Sequence, residues 1–397
     1  MTQTSLKICI LGGGFGGLYT ALRLSQLPWP EGQTPEIILV DQSDHFLFSP
    51  FLYELVTGEL QAWEIAPPFT ELLAETGVQF IQATVQDIDP QQRQVTLADD
   101  RTLPFDRLVL ALGGETPRHQ VPGAAEYALP FRTVADAYQL EARLRAFETA
   151  PQEVIRVAIA GAGPSGVELA CKLAERLGDR GRIRIIDRGS SILESAPEFN
   201  QQAALKTLEE QGVWLDLETT VEKVEADQLT LTYKNQTDTL PVDLVLWTVG
   251  TAIAAPIRAV KLPHNPRGQL PTLPTLQVQD HPDIYALGDL ADCHDAQGQQ
   301  VPGTAQAALQ QADCAAWNVW ASLTERPLLP FRYTHLGEML TLGQSTAALT
   351  GLGLKLDGSA AYLARRLIYL YRMPTLEHQL KVGLHWVTKP FMSLLTP

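Results

Sequence analysis

Ile8-Cys9-Ile10-Leu11-Gly12-Gly13-Gly14-Phe15-Gly16-Gly17 decides the fold of this chain, because its pattern returns as Val157-Ala158-Ile159-Ala160-Gly161-Ala162-Gly163-Pro164-Ser165-Gly166. Each copy is a short apolar run, then Gly-x-Gly-x-x-Gly, then a helical pattern, which is the strand-turn-helix that receives a dinucleotide. The first glycine, Gly12 or Gly161, permits the tight turn. The second, Gly14 or Gly163, lets backbone N–H groups approach a diphosphate at a helix N-terminus, and the third, Gly17 or Gly166, lets helix pack on strand. An acid for the adenosine ribose is expected at the tip of the next strand. Asp41 ends the run Ile37 to Val40, and Asp187 ends the run Ile183 to Ile186. The spacing therefore predicts two dinucleotide sites in one polypeptide.

A second repeat supports an internal duplication. Phe105-Asp106-Arg107-Leu108-Val109-Leu110-Ala111-Leu112-Gly113 is matched in pattern by Val242-Asp243-Leu244-Val245-Leu246-Trp247-Thr248-Val249-Gly250, so each unit closes on a buried strand that ends in glycine. His281 to Asp289 adds another short strand with an acid at its tip, which points to a second contact with the first cofactor. The expected fold is α/β, with two doubly wound Rossmann-like sheets whose ligands lie at the carboxyl ends of the strands. The expected domains are a discontinuous one, residues 1–125 and 255–332, an inserted one, residues 126–254, and a small carboxy-terminal region, residues 333–397.

Composition narrows the function. The 397 residues are 45% hydrophobic and carry a formal charge of -15, which argues against nucleic acid as a partner because phosphate binding needs a basic footprint. From Lys355 onward the balance reverses, with six Lys or Arg against Asp357 and Glu377. An acidic body with a basic tail points to a membrane surface. Cys9, Cys171, Cys293 and Cys314 form no close pair, so neither a disulfide framework nor a metal site is signalled, and a reducing compartment is expected. No apolar run is long enough to span a bilayer, and a cleaved secretory signal is not expected.

With these features in place, residues 5 to about 330 resemble the flavoproteins with two dinucleotide-binding domains, in which the first holds FAD and the inserted one a nicotinamide nucleotide. The stretch His45-Phe46-Leu47-Phe48-Ser49-Pro50-Phe51-Leu52-Tyr53-Glu54-Leu55 lacks the cysteine pair of the disulfide reductases and is similar to the type II NAD(P)H:quinone oxidoreductases. Ala305-Gln306-Ala307-Ala308-Leu309-Gln310-Gln311 matches the quinone signature of that family. Gln306 and Gln310, four apart, share a helix face from which both amides can reach quinone carbonyls. Fingerprints and resemblance together assign Gly12, Gly14, Phe15, Gly16, Gly17, Asp41, Pro50, Val85, Gly113, Gly288 and Asp289 to FAD. They assign Gly161, Gly163, Pro164, Ser165, Gly166, Glu168, Asp187, Arg188 and Gly250 to NADH or NADPH, and Ala305, Gln306, Gln310, Gln311 and Lys355 to the quinone. Glu168, Gln306 and Gln310 are the catalytic candidates. Asp187 favours NADH, whereas Arg188 or Arg184 offers a partner for the 2′-phosphate of NADPH.

The carboxy-terminal part narrows the branch. Leu363 to Pro374, with Arg365-Arg366 and Tyr371-Arg372-Met373-Pro374, is similar to the demethylphylloquinone reductases of oxygenic phototrophs. That resemblance implies reduction of a demethylated naphthoquinone in phylloquinone biosynthesis; a general respiratory dehydrogenase and a slow redox-sensing flavoprotein are the alternatives. A sulfide:quinone reductase needs cysteines beside the flavin, and Cys171 lies within the nucleotide helix. The Arg-rich, aromatic segments Ser359 to Arg372 and Leu376 to Leu395, with Trp386, Phe391 and Met392, suit a bilayer interface. The protein is thus expected peripherally on the cytoplasmic or stromal face of a thylakoid or plasma membrane, with a homodimer open.

Overall fold

The computed structural model describes residues 6–32, 34–151 and 153–395, with side chains to residue 389, so Phe391 and Met392 lie outside the described side chains. The chain divides into two units, one of Met1–Leu47, Ala66–Glu115 and Thr251–Thr334, the other of Phe48–Ile65, Thr116–Gly250 and His335–Pro397.

The first unit is built on a six-stranded sheet in the order Gln277–Val278, His281–Ala286, Arg107–Leu110, Lys7–Leu11, Glu36–Asp41, Gln79–Gln82. Five of these strands run parallel and only the edge strand Gln277–Val278 is antiparallel. Ile8, Cys9, Ile10 and Leu11 are all fully buried, as continuous apolar runs must be when both faces of a parallel sheet are covered. A three-stranded meander, Val85–Asp89, Gln94–Leu97 and Thr102–Pro104, shares the core of the sheet through Val85, Val95 and Leu97. On the sheet, helix Phe15–Ser25 meets helix Ala305–Leu323, where the Thr20 hydroxyl donates to the Ala312 carbonyl at 3.5 Å. The second of these helices starts at Thr304, whose hydroxyl accepts the Ala307 N–H at 3.2 Å.

The second unit repeats the plan. Its five-stranded parallel sheet has the order Trp214–Asp216, Gly181–Ile186, Ile155–Ala160, Leu244–Trp247, Ala128–Pro130, and its meander is Thr219–Val224, Gln228–Tyr233 and Gln236–Pro241. Helix Val134–Thr149 opens with a reciprocal capping box between Thr133 and Asp136. A second antiparallel sheet, Glu338–Thr341, Ala347–Gly351 and Leu354–Asp357, packs through Ala347 and Leu349 on helix Gly358–Arg372, which is followed by helix Leu376–Leu395. Among the described residues no helix is long and apolar enough to cross a membrane.

Candidate functional site

The two fingerprints adopt the same geometry. Gly12 and Gly161 have φ of +97° and +110°, values that a side chain would strain. A Cβ at Gly17 would collide with the Gly12 carbonyl and one at Gly166 with the Gly161 carbonyl, so helix and strand approach as closely as backbone allows. At Gly14 and Gly163 the opposite holds. Beyond each glycine and its chain neighbours, no atom of the described residues lies within 4 Å of where a Cβ would stand, which leaves the helix N-terminus open to a diphosphate. Each acid also braces its own loop. Asp41 accepts the N–H of Gly13 at 2.6 Å and of Ser43 at 2.8 Å, and Asp187 those of Ala162 at 2.7 Å and Gly189 at 2.6 Å. Two open cradles, each with an acid beyond the turn, fit two dinucleotides.

In the first unit the remaining assigned residues lie at strand tips. Gly113 follows strand Arg107–Leu110, Val85 is buried where the meander begins, and Gly288-Asp289 follows strand His281–Ala286. Gly303 stands so close that a Cβ there would be 3.2 Å from the Asp289 carboxylate. Phe15 lies edge-on to Phe46 at 5.2 Å. The glutamines carry distinct loads. The Gln306 carbonyl oxygen accepts the Tyr333 hydroxyl at 3.1 Å; Gln310 donates to the Thr334 carbonyl at 2.9 Å and accepts its N–H at 3.0 Å. Gln311, 2% exposed, accepts the Gly288 N–H at 2.9 Å and so ties the helix to the strand tip that bears Asp289.

In the second unit, helix Pro164–Leu177 brings Glu168 into a buried charge cluster. Glu168 accepts the Thr341 N–H at 2.9 Å, and its carboxylate is 4.0 Å from the guanidinium of Arg365. Arg365 is fully buried; it bonds Glu54 at 2.6 Å and the Pro50 carbonyl at 2.6 Å, and it lies over the rings of Phe51 and Tyr369. Burial pushes the Glu168 carboxyl up to about 7, against the opposing pull of the Arg365 cation and the Thr341 N–H. Tyr53 donates to Ser165 at 3.1 Å, and its hydroxyl is held well above its ordinary range by burial and then by the Glu168 charge. Among the described residues two buried atoms of this cluster, Glu54 Oε2 and Arg365 Nε, have no hydrogen-bond partner. One cation thus serves two carboxylates, and the arrangement can store or release a proton near neutral pH.

This corrects the reading of Arg365 as a cation facing a bilayer. Its neighbour Arg366 stacks on Trp386 at 4.1 Å, and Lys389 donates to the Glu59 carbonyl at 2.8 Å. The two carboxy-terminal helices expose an apolar row, Leu363, Leu367, Tyr371, Leu376, Leu380, Leu384 and Val387, each more than half exposed, beside the charged pair Glu377 and Lys381. Lys355 lies exposed on strand Leu354–Asp357, 5.9 Å from the Phe199 ring. Of the nucleotide candidates, Arg188 is exposed next to Asp187, while Arg184 is engaged with Asp216 at 2.9 Å. Glu54, Tyr53 and Thr341 escaped the reading of the sequence. The signal available was Glu54 itself, an acid amid the apolar run Phe48 to Val56. All four cysteines are free, and burial pushes the Cys9 thiol up to about 12 and that of Cys171 upward as well, which suits packing rather than thiol chemistry.

Comparison with known proteins gives the following. The family described as pyridine nucleotide-disulphide oxidoreductase matches residues 6–312. A Synechocystis protein named demethylphylloquinone reductase NdbB is 59% identical over 98% of both chains. An Arabidopsis thaliana protein, alternative NAD(P)H-ubiquinone oxidoreductase C1, is 43% identical over 96% of this chain and 80% of its own. The solved structure of NDH2 from Plasmodium falciparum in complex with NADH shares the fold, with a TM-score of 0.86 over 97% of this chain and 98% of that one at 16% identity.

Proposed function

The chain belongs to the type II NADH:quinone oxidoreductases within the pyridine nucleotide-disulphide oxidoreductase family, and from that premise we propose that it oxidises NADH or NADPH and reduces a membrane naphthoquinone, the demethylated precursor of phylloquinone. The observation that carries this reading is Glu168, an acid buried in the second turn of the second fingerprint helix, with its carboxyl near 7. A quinone that takes up two electrons also takes up two protons, and a carboxyl balanced near neutrality can supply or relay one.

FAD, when bound, would supply the two-electron chemistry that links the nicotinamide to the quinone. In our reading residues 1–125 and 255–332 bind it, with Gly14 at the diphosphate, Asp41 at the adenosine ribose and Asp289 at the ribityl chain. Residues 126–254 bind NADH or NADPH, with Gly163 at the diphosphate and Asp187 at the ribose. Arg188, exposed beside that acid, would receive a 2′-phosphate. Gln306 would meet the quinone from the helix that also carries Gln310 and Gln311.

Residues 333–397 would hold the enzyme to the cytoplasmic or stromal face of a thylakoid or plasma membrane. Support comes from the exposed row of Leu363, Leu367 and Tyr371 on one helix and Leu376, Leu380 and Leu384 on the next, repeating at the spacing that lays one helix stripe in an interface. We extend the reading to a homodimer, which sedimentation in detergent tests. The test of function is metabolic: a strain without the protein should accumulate demethylated quinone and lose phylloquinone while respiration continues. Normal phylloquinone with impaired NADH oxidation would instead identify a general dehydrogenase.

A further inference from the structure

The second unit holds a cavity of about 330 Å³ that none of the chemistry above uses. Its construction follows from strand register. Strand Ile155–Ala160 pairs with strand Gly181–Ile186 so that Arg156 stands opposite Arg182 and Ala158 opposite Arg184, and Arg184 in turn stands opposite Trp214. Because side chains alternate along a strand, these residues share one face of the sheet. The meander covers that same face farther along, where Ala158 and Ala160 pack with Leu229, Leu231 and Val242. The small Ala158 leaves room where this cover ends, and Leu229, Leu240 and Trp214 form the apolar walls.

Three guanidinium groups line this space and, among the described residues, no carboxylate does. Arg184 pairs with Asp216 at 2.9 Å and lies 5.4 Å from the centre of the Trp214 ring; Arg156 is 3.6 Å from Asp243. Among the described residues Arg182 has only backbone acceptors, the carbonyls of Asp179 at 2.8 Å and Gly181 at 2.9 Å. Arg184 and Arg156 are thus each paired with a carboxylate, and among the described residues Arg182 is the lining cation that has none, so in a chain of net charge -15 it offers an anion its partner here. Guanidinium forks favour a planar carboxylate, and the apolar walls require a flat hydrophobic body attached to it.

We propose that this cavity binds an aromatic carboxylate, at a site separate from the dinucleotide cradle. Arg182 is five residues before Asp187 on the same strand, about 16 Å at the rise of a β-strand, so a ligand seated on Arg156 and Arg182 leaves the fingerprint clear.

Isothermal titration of the full-length, flavin-loaded protein with 2-naphthoate tests the proposal. One saturable event is expected, persisting at saturating NADH or NADPH and at least tenfold weaker with 2-naphthamide or inorganic phosphate. It should weaken at least tenfold in the Arg156→Gln/Arg182→Gln protein and, independently, in Trp214→Leu; all three side chains are at the surface, so folding should persist. No saturable binding, affinity unchanged in both variants, or displacement by NADH would overturn the proposal. Equal affinity for phosphate would overturn it as well, by showing an anion site with no use for the apolar walls.

Discussion

Replacing Glu168 with Gln preserves the shape of the side chain and an oxygen to accept the Thr341 N–H, and removes only a charge that burial resists. In the fold the carboxyl is raised from 4.5 to about 7. At 1.36 kcal/mol per pH unit, ionising it in the native protein costs on the order of 3 kcal/mol more than in the unfolded chain. The native value lies above the unfolded one, so the contribution of the protonated acid is fully present below about 4.5 and is lost as pH rises through about 7. The parent protein should therefore match Glu168→Gln in stability in acid and fall behind it by roughly 3 kcal/mol above neutrality. Urea unfolding of both proteins at a series of pH values measures that gap, and infrared difference spectra of the parent should show a protonated-carboxyl band that disappears near neutral pH and is absent from the variant. Parallel stability curves, or a carboxyl that ionises at its ordinary value, would refute the argument that desolvation outweighs the Arg365 cation.

Other outcomes follow from the same geometry. Arg365→Met should destabilise by about 3–5 kcal/mol, because Glu54 is left buried without its partner; adding Glu54→Gln should restore much of the loss in the same unfolding assay. Gln306→Leu should slow quinone-dependent turnover while flavin reduction by NAD(P)H persists, whereas Gln310→Leu should cost about 0.5–1.5 kcal/mol of stability through its two bonds to Thr334. Asp187→Ser should raise the kcat/KM ratio for NADPH over NADH and Arg188→Ala should lower it; if neither ratio moves, the ribose is held elsewhere. Leu367→Glu with Leu380→Glu and Leu384→Glu, placed in the exposed apolar row, should abolish sedimentation with anionic vesicles without unfolding the protein.

The strands, turns and acids of both nucleotide cradles were legible because each depends on residues near one another in sequence. Asp41 and Asp187 stand at strand tips and bond the fingerprint turns 28 and 25 residues earlier, a separation that one strand-turn-helix-strand pattern spans. Arg365 was not legible. Adjacent residues on a helix point about 100° apart, so of Arg365-Arg366 only one can face inward, and the choice is made by a carboxylate 311 positions away. Nor could spacing rank the glutamines. Gln306, Gln310 and Gln311 lie on one short stretch of helix, and their roles separate only when Tyr333, Thr334 and Gly288 come into register with it.

The same long reach orders events on the ribosome. Glu54, Glu59 and Glu64 emerge early, yet their partners Arg365, Tyr362 and Trp386 are made 303 to 322 residues later. Until then Glu54 and Glu64, each no more than 1% exposed in the finished protein, lack these partners, and residues 48–65 are held only by earlier contacts such as Tyr53 with Ser165 and Phe131 and Glu59 with Lys172. The parallel sheets can assemble meanwhile, since their strands have already left the exit tunnel. A nascent chain stalled before residue 359 should therefore resist protease over its sheets and be cut within residues 48–65, and a tail borrowed from a relative would have to arrive with its own version of that early segment.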